Sequence, residues 1–242
     1  SMYHYYFENS YGKLQISGVI AGSKWYVSRY TKSYYGADGR EIDDANGPIY
    51  RLAQEAVLLA DPDIDFPRFD KNGDGKVDHL MIVHAGDDQA SSGVSTDIWS
   101  HYWNIRTPTI VDGVIPGTGV TVYGYSMMAE TDFLGVFAHE FGHDLGLPDL
   151  YDYEGRQDFL GQWDLMARGG SNNGGKTPAH MTSWGKMKLG WLSSDDIVEW
   201  TGLPSPKTLL LNNLEQVSGK RALKIPLTSS TYYLVEARRK IG

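Results

Sequence analysis

The sequence predicts an α+β fold, because helical and strand-like patterns occupy separate stretches of the chain. Apolar residues recur between Ile49 and Ala60 at the spacing of an amphipathic helix, directly before Asp61-Pro62. From Thr208 onward, three strand-like stretches follow one another without a helical pattern. The hydrophobic content of 41% over 242 residues suits one large domain, or one domain with a small appendage.

Further elements are expected between these two regions and before them. Strand patterns lie at 13–20, at 77–83 and at 114–125. A helix is predicted at 134–145, where an apolar stripe of four residues recurs and where Thr131 or Asp132 can cap its start. A last helix is expected to open at Thr177-Pro178 and to end before Gly190.

The helix at 134–145 carries the pattern H-E-x-x-H, which runs from His139 to His143. Two histidines at this spacing project from one face of a helix and can hold one metal ion together. Glu140 lies beside them, where a carboxylate can take a proton from an activated water. The alternative is an exposed polar face of an amphipathic helix, without a metal.

The residues that follow the second histidine favour a catalytic site. A catalytic zinc ion uses three protein ligands, so the two histidines need a third ligand from beyond the helix. Gly146 permits a sharp turn, and Pro148 keeps the helix from resuming. Asp149, arriving after that turn, can reach back to the metal, with Asp144 and Asp152 as competing carboxylates.

Residues 138–152 resemble the active-site signature of the immune inhibitor A family, which comprises secreted bacterial zinc metallopeptidases grouped with the metzincins. Other blocks that resemble the family lie at 69–78, 83–86, 98–101, 163–166 and 233–238. The resemblance implies a metzincin-like zincin domain over residues 1–195, with a mixed twisted sheet, a backing helix, an active-site helix and a C-terminal helix. A β-rich segment at 196–242 would then begin a further portion of the protein.

The resemblance also implies roles for individual residues. His139, His143 and Asp149 would bind Zn²⁺, and Glu140 would be the general base. Gly146 would support the site through its turn.

Met166, in Trp163-Asp164-Leu165-Met166, corresponds by position to the methionine that forms the apolar floor below the zinc in metzincins. The alternative is an ordinary core methionine. Some metzincins carry a metal-approaching tyrosine two residues later, but Arg168 occupies that position here. Tyr151 and Tyr153 are weaker candidates for transition-state support.

A second motif has the spacing of a calcium loop with oxygen ligands at alternate positions. Its residues are Asp70, Asn72, Asp74, Lys76 and Asp78. Gly75 occupies the sixth position, where such loops turn sharply, but Met81 replaces the twelfth-position glutamate of an EF-hand. We expect a structural Ca²⁺ that needs a further carboxylate; the alternative is a metal-free turn leading into a strand.

Composition excludes several classes of protein and partner. The net charge of −8 disfavours nucleic acid and anionic membranes, and no apolar run approaches the length of a membrane span. The absence of cysteine excludes disulfides, thiolate metal sites and a thiol nucleophile. We expect a monomer that neither binds nucleic acid nor inserts into a membrane.

The family resemblance places the protein outside the cell. No signal peptide opens the chain, and Lys240-Ile241-Gly242 follows directly on a strand-like segment. The resemblance implies a longer precursor with a leader and a pro-segment, an extracellular or cell-surface location, and two kinds of partner: protein or peptide substrates and the enzyme's own pro-segment.

These observations predict a secreted zinc endopeptidase in which Glu140 takes a proton from the attacking water and passes it to the leaving amine. By analogy, the substrate would lie extended along an edge strand near 120–125. Two alternatives remain: a zinc hydrolase of a non-peptide substrate, and a calcium-stabilised binding module without catalysis. The intact Glu140 disfavours the second.

Overall fold

The computed structural model describes residues 1–22, 24–37, 48–113, 119–157, 159–200, 202 and 208–239. The fold is α+β, as the sequence predicts. Two compact units are distinguished, one formed by Ser1–Ser17 with Leu147–Gly242 and the other by Gly18–Gly146. The division at residue 195 stays a prediction. Within the described ranges, no helix is both long and apolar enough to cross a membrane.

The regular elements of the described residues are distributed along the whole chain. The α-helices are α1 (Met2–Asn9), α2 (Lys32–Tyr35), α3 (Ile49–Ala60), α4 (Gln89–Ser92), α5 (Leu134–Asp144) and α6 (Ser183–Lys188). The strands are β1 (Met81–His84), β2 (His101–Val111), β3 (Val120–Ala129), β4 (Ile197–Glu199), β5 (Ala222–Pro226) and β6 (Tyr232–Glu236). Short 3₁₀ helices lie at Asp61–Asp63, Phe66–Phe69, Gly161–Trp163, Arg168–Ser171 and Ser194–Asp196.

The unit Gly18–Gly146 is built on a mixed three-stranded sheet with the order β1-β3-β2. Strand β1 is parallel to β3, and β2 is antiparallel to it. Because β3 lies between two partners, it is the central strand. We expected the substrate to lie along an edge strand near 120–125. That prediction is wrong for this sheet, because its outer strands are β1 and β2.

Helix α3 packs against this sheet, as predicted for a backing helix. Its buried residues Ile49, Ala53 and Val57 fall on one face and join the same core cluster as Ile105 and Val122 of β2 and β3. Burial of a large aliphatic side chain contributes about 1.5–3 kcal/mol. The apolar periodicity of this segment is therefore explained by the sheet that it covers.

The strand predictions for residues 13–125 are only partly correct. Residues 13–20 form no strand, although Leu14 and Ile16 are half-buried between exposed neighbours, because none of the strands that the structure describes pairs with them. The strand expected at 77–83 begins at Met81, four residues late. Strand β3 runs on to Ala129, beyond the predicted end, while 114–118 lies outside the described residues.

Strand β2 was not predicted from the sequence. Its central residues Arg106 and Thr107 are polar, and Pro108 lacks the N–H group that a strand ladder uses. The register of β2 against β3 shifts between Asn104 and Thr109, so Pro108 lies within an irregular stretch of the pairing.

The helix boundaries also differ from the predictions. Phe133 is the N-cap of α5, because Asp132 instead accepts hydrogen bonds from the Ala129 amide and the Ser100 hydroxyl. Helix α6 begins at Ser183, later than the expected Thr177-Pro178, and is followed by a turn at Gly190 with φ +71°.

The other unit joins both ends of the chain. Strands β4, β5 and β6 form a sheet in that order, parallel for the first pair and antiparallel for the second. Two of its strands lie after Thr208, where three were expected. The Asn9 side-chain oxygen accepts from the Met181 amide at 3.0 Å, and the Tyr5 hydroxyl donates to the Ala179 carbonyl at 2.6 Å. Helix α1, for which no element was predicted, is therefore part of this unit.

Candidate metal centre

Helix α5 lies against the sheet through small residues. Gly135, Ala138 and Gly142 are buried, and so is Phe141, whereas the other members of the expected apolar stripe are half-buried. Small side chains let the helix backbone approach β3, where the Ser126 hydroxyl lies 3.5 Å from the Glu140 carbonyl oxygen. The helix is thereby fixed on the sheet by its own backbone.

The two histidines of α5 are neighbours in space as well as in the motif. Their Nε2 atoms are 3.1 Å apart, and their rings meet edge to face at 4.7 Å between centroids. Zinc–nitrogen bonds of about 2.0–2.1 Å at a tetrahedral angle place two nitrogens about 3.3 Å apart. The observed pair therefore fits a shared metal ion.

The turn after α5 adds a third donor. Gly146 has φ +94°, which strains any residue with a side chain, and its amide donates to the His143 carbonyl at 2.8 Å. One ligand atom each from His139, His143 and Asp149 lies within 4.8 Å of the other two. Two imidazoles and a carboxylate are a donor set that suits catalytic zinc.

The two carboxylates that competed with Asp149 have other partners. The Asp144 carboxylate lies 2.6 Å from Nδ1 of His79, and this hydrogen bond raises the pKa of His79. The Asp152 carboxylate accepts hydrogen bonds from the amides of Glu154, Arg156 and Gln157 and so closes its own turn. His79 lies 65 residues before Asp144, and no sequence pattern connects them.

Glu140 and Tyr153 are two further ionisable groups close in sequence to the three donors. Glu140 is buried, with 7% of its surface exposed. The Tyr153 hydroxyl donates to Oδ2 of Asp149 at 2.6 Å, and this bond, with partial burial, raises the pKa of Tyr153 to about 12. Tyr153 was only a weak candidate in the sequence.

The Met166 turn is held by a buried carboxylate. Oδ1 of Asp164 accepts from the Met166 amide at 2.7 Å, and Oδ2 accepts from the Thr182 amide at 2.5 Å. Met166 is fully buried, and its carbonyl accepts from the Leu150 amide at 2.7 Å. The turn is therefore bonded to the residue after Asp149, while the role of Met166 as a floor stays a prediction.

The expected calcium loop closes on itself through side-chain to backbone bonds. Asp70 accepts from the amides of Gly73, Asp74 and Gly75 at 2.8–3.1 Å. Asn72 and Asp74 each accept from the amide two residues later, and Asp78 accepts from the Lys71 amide. These bonds close the loop, and a Ca²⁺ at Asp70, Asn72, Asp74, Lys76 and Asp78 stays a prediction.

Comparison with known proteins identifies the family. Residues 1–200 match the family described as immune inhibitor A peptidase M6, catalytic domain. The pre-pro-metalloprotease PrtV of Vibrio cholerae is 35% identical over 217 residues, which cover 78% of this chain and 23% of the relative. Immune inhibitor A of Bacillus thuringiensis is 34% identical over 192 residues, or 68% of this chain and 28% of the relative. The chain spans about a quarter of the length of these relatives. The chain thus belongs to the immune inhibitor A family of M6 peptidases.

Proposed function

We propose that the chain is the catalytic part of a zinc-dependent endopeptidase that hydrolyses peptide bonds of protein substrates. The observation that carries this proposal is the group formed by His139, His143 and Asp149 on a helix and the turn after it. The family match supports it, and one relative is named as a metalloprotease. The same match favours a peptidase over a hydrolase of non-peptide substrates.

The donor set is suited to a metal that polarises a carbonyl group. Two neutral imidazoles and one carboxylate, from His139, His143 and Asp149, leave a position open for water and substrate. When bound there, Zn²⁺ lowers the pKa of water and polarises the scissile carbonyl. Gly146 supports this arrangement because its positive φ lets the chain turn back after the helix.

Glu140 is the proposed general base. It lies directly after His139 on the same helix and is buried, so its carboxylate acts where bulk water is largely excluded. It takes a proton from the attacking water as the C–O bond forms, and it delivers that proton to the nitrogen as the C–N bond breaks. Met166, fully buried, would provide apolar packing below the metal ligands.

Other features of the proposal concern stability, fold and location. We propose a metzincin-like arrangement over residues 1–195 with a β-rich segment at 196–242. A structural Ca²⁺ would stabilise the loop around Asp70. The word pre-pro in the name of one relative supports a precursor with a pro-segment and an extracellular location for the enzyme. We retain the prediction that the enzyme is a monomer.

Metal dependence tests this proposal. The purified protein should contain about one zinc ion per chain and should cleave casein. Chelation should abolish cleavage, and added zinc should restore it. Casein cleavage that is unchanged after complete removal of metal would refute the proposed function.

A further inference from the structure

Tyr153 makes a contact that the sequence does not explain. Its hydroxyl donates to Oδ2 of Asp149 at 2.6 Å, although 78% of its surface is exposed. An exposed tyrosine has water available as a hydrogen-bond partner, so a short bond to one particular carboxylate requires a local cause. The cause is found in the backbone around it.

The segment between Asp149 and Arg156 is held at both ends. The Leu150 amide donates to the Met166 carbonyl at 2.7 Å, which fixes the residue next to Asp149. Asp152 accepts from three amides that follow it, which closes the turn that carries Tyr153. The Tyr151 ring meets the Tyr153 ring edge to face at 5.3 Å between centroids. The tyrosine is therefore presented to Asp149 by a constrained loop.

We propose that Tyr153 is a positioning residue of the metal centre, whose hydroxyl holds Oδ2 of Asp149 so that the carboxylate offers its other oxygen to the metal. This role rests on the proposed function, in which Asp149 is the third ligand. A carboxylate can rotate and bind through either oxygen or both. A donor on one oxygen fixes a single orientation before the metal arrives.

The expected size of the effect follows from the chemistry of such contacts. Hydrogen bonds to an ionised acceptor are shorter and about twice as strong as neutral ones. Removal of an outer partner of a metal ligand lowers metal affinity by about 10–100-fold. Tyr153→Phe removes only the hydroxyl from an exposed ring, so the fold should be preserved.

The experiment compares zinc binding by the wild type, by Tyr153→Phe and by a matched control. Tyr233 is also exposed and lies in β6, so Tyr233→Phe removes the same atom far along the sequence. Zinc dissociation constants are measured by competition with a chromophoric chelator. The visible spectrum of the cobalt(II)-substituted protein then reports the ligand geometry, and kcat and KM are taken at saturating zinc.

We expect a 10–100-fold weaker zinc affinity and an altered cobalt spectrum for Tyr153→Phe, with wild-type values for Tyr233→Phe. Wild-type affinity and spectrum in Tyr153→Phe would overturn the role. A change in KM alone would overturn it as well, because it would assign Tyr153 to substrate binding. If the wild-type protein itself binds no zinc, the proposed metal centre is refuted, and the role of Tyr153 is refuted with it.

Discussion

Lys186 provides a test of the packing between the two ends of the chain. Its side chain is fully buried, and its ammonium donates to the carbonyl of Asn9, the last residue of α1, at 2.6 Å. The ammonium also lies 4.3 Å from the centroid of the Tyr11 ring. A cation at a helix C-terminus satisfies an otherwise unpaired carbonyl and is favoured by the helix dipole.

Burial of the Lys186 ammonium carries a free-energy cost, because the charged form loses its contact with water. Burial lowers the pKa of Lys186 to about 7, and Arg238 lowers it further, whereas Glu215 opposes the change. Because the unfolded lysine titrates near 10.4, the folded chain binds fewer protons between these pH values. Stability contributed by this site is therefore greatest above about pH 10.5 and falls as the pH is lowered to 7. The change between pH 10 and pH 7 amounts to ~3 kcal/mol.

Lys186→Met removes the titrating group and keeps most of the apolar stem. We expect the free energy of unfolding of the wild type, relative to that of the variant, to rise by ~3 kcal/mol from pH 7 to pH 10. Urea unfolding of both proteins in EDTA measures this difference without metal binding. The lost bond to Asn9 adds a constant of about 1 kcal/mol that does not depend on pH. A difference that stays constant across this pH range would contradict a lowered pKa of Lys186 in the folded protein.

Three further predictions concern the metal sites and the Met166 turn. Asp149→Ala should lose most of its zinc on dialysis, measured by metal analysis, whereas Asp152→Ala should keep it; full occupancy in Asp149→Ala would place the third ligand elsewhere. Ca²⁺ should raise the unfolding temperature of the wild type but not that of Asp70→Ala, and the absence of any shift in the wild type would exclude the calcium proposal. Gly169→Ala should lower the free energy of unfolding by about 1–3 kcal/mol, because its Cβ would lie 2.4 Å from the Asp164 carbonyl oxygen, and an unchanged urea midpoint would contradict this.

Features encoded by neighbouring residues could be predicted from the sequence. The buried face of helix α3 is visible in the sequence as apolar residues at helical spacing. The proximity of His139 and His143 follows from helix geometry alone. Gly146 indicates a turn after the helix, because glycine adopts a positive φ more readily than other residues. These predictions need no knowledge of distant contacts.

Features that depend on distant partners could not be predicted in the same way. The segment 13–20 has the alternation of a strand, but a strand also needs a neighbour, and no strand within the described ranges pairs with it. Helix α1 is explained by contacts with Ala179, Met181 and Lys186, more than 170 residues away. Likewise, the choice between Asp144 and Asp149 as the third metal ligand depends on His79, which pairs with Asp144. The position of His79 beside Asp144 is determined only by the fold.

Comparison of the wild type with Glu140→Gln tests the proposed mechanism most directly. Casein cleavage and zinc content are measured together, with Glu199→Gln, an exposed carboxylate in β4, as the matched control. We expect Glu140→Gln to retain its zinc and to lose nearly all turnover, while Glu199→Gln behaves like the wild type. Wild-type turnover in zinc-loaded Glu140→Gln would contradict the assignment of Glu140 as the general base.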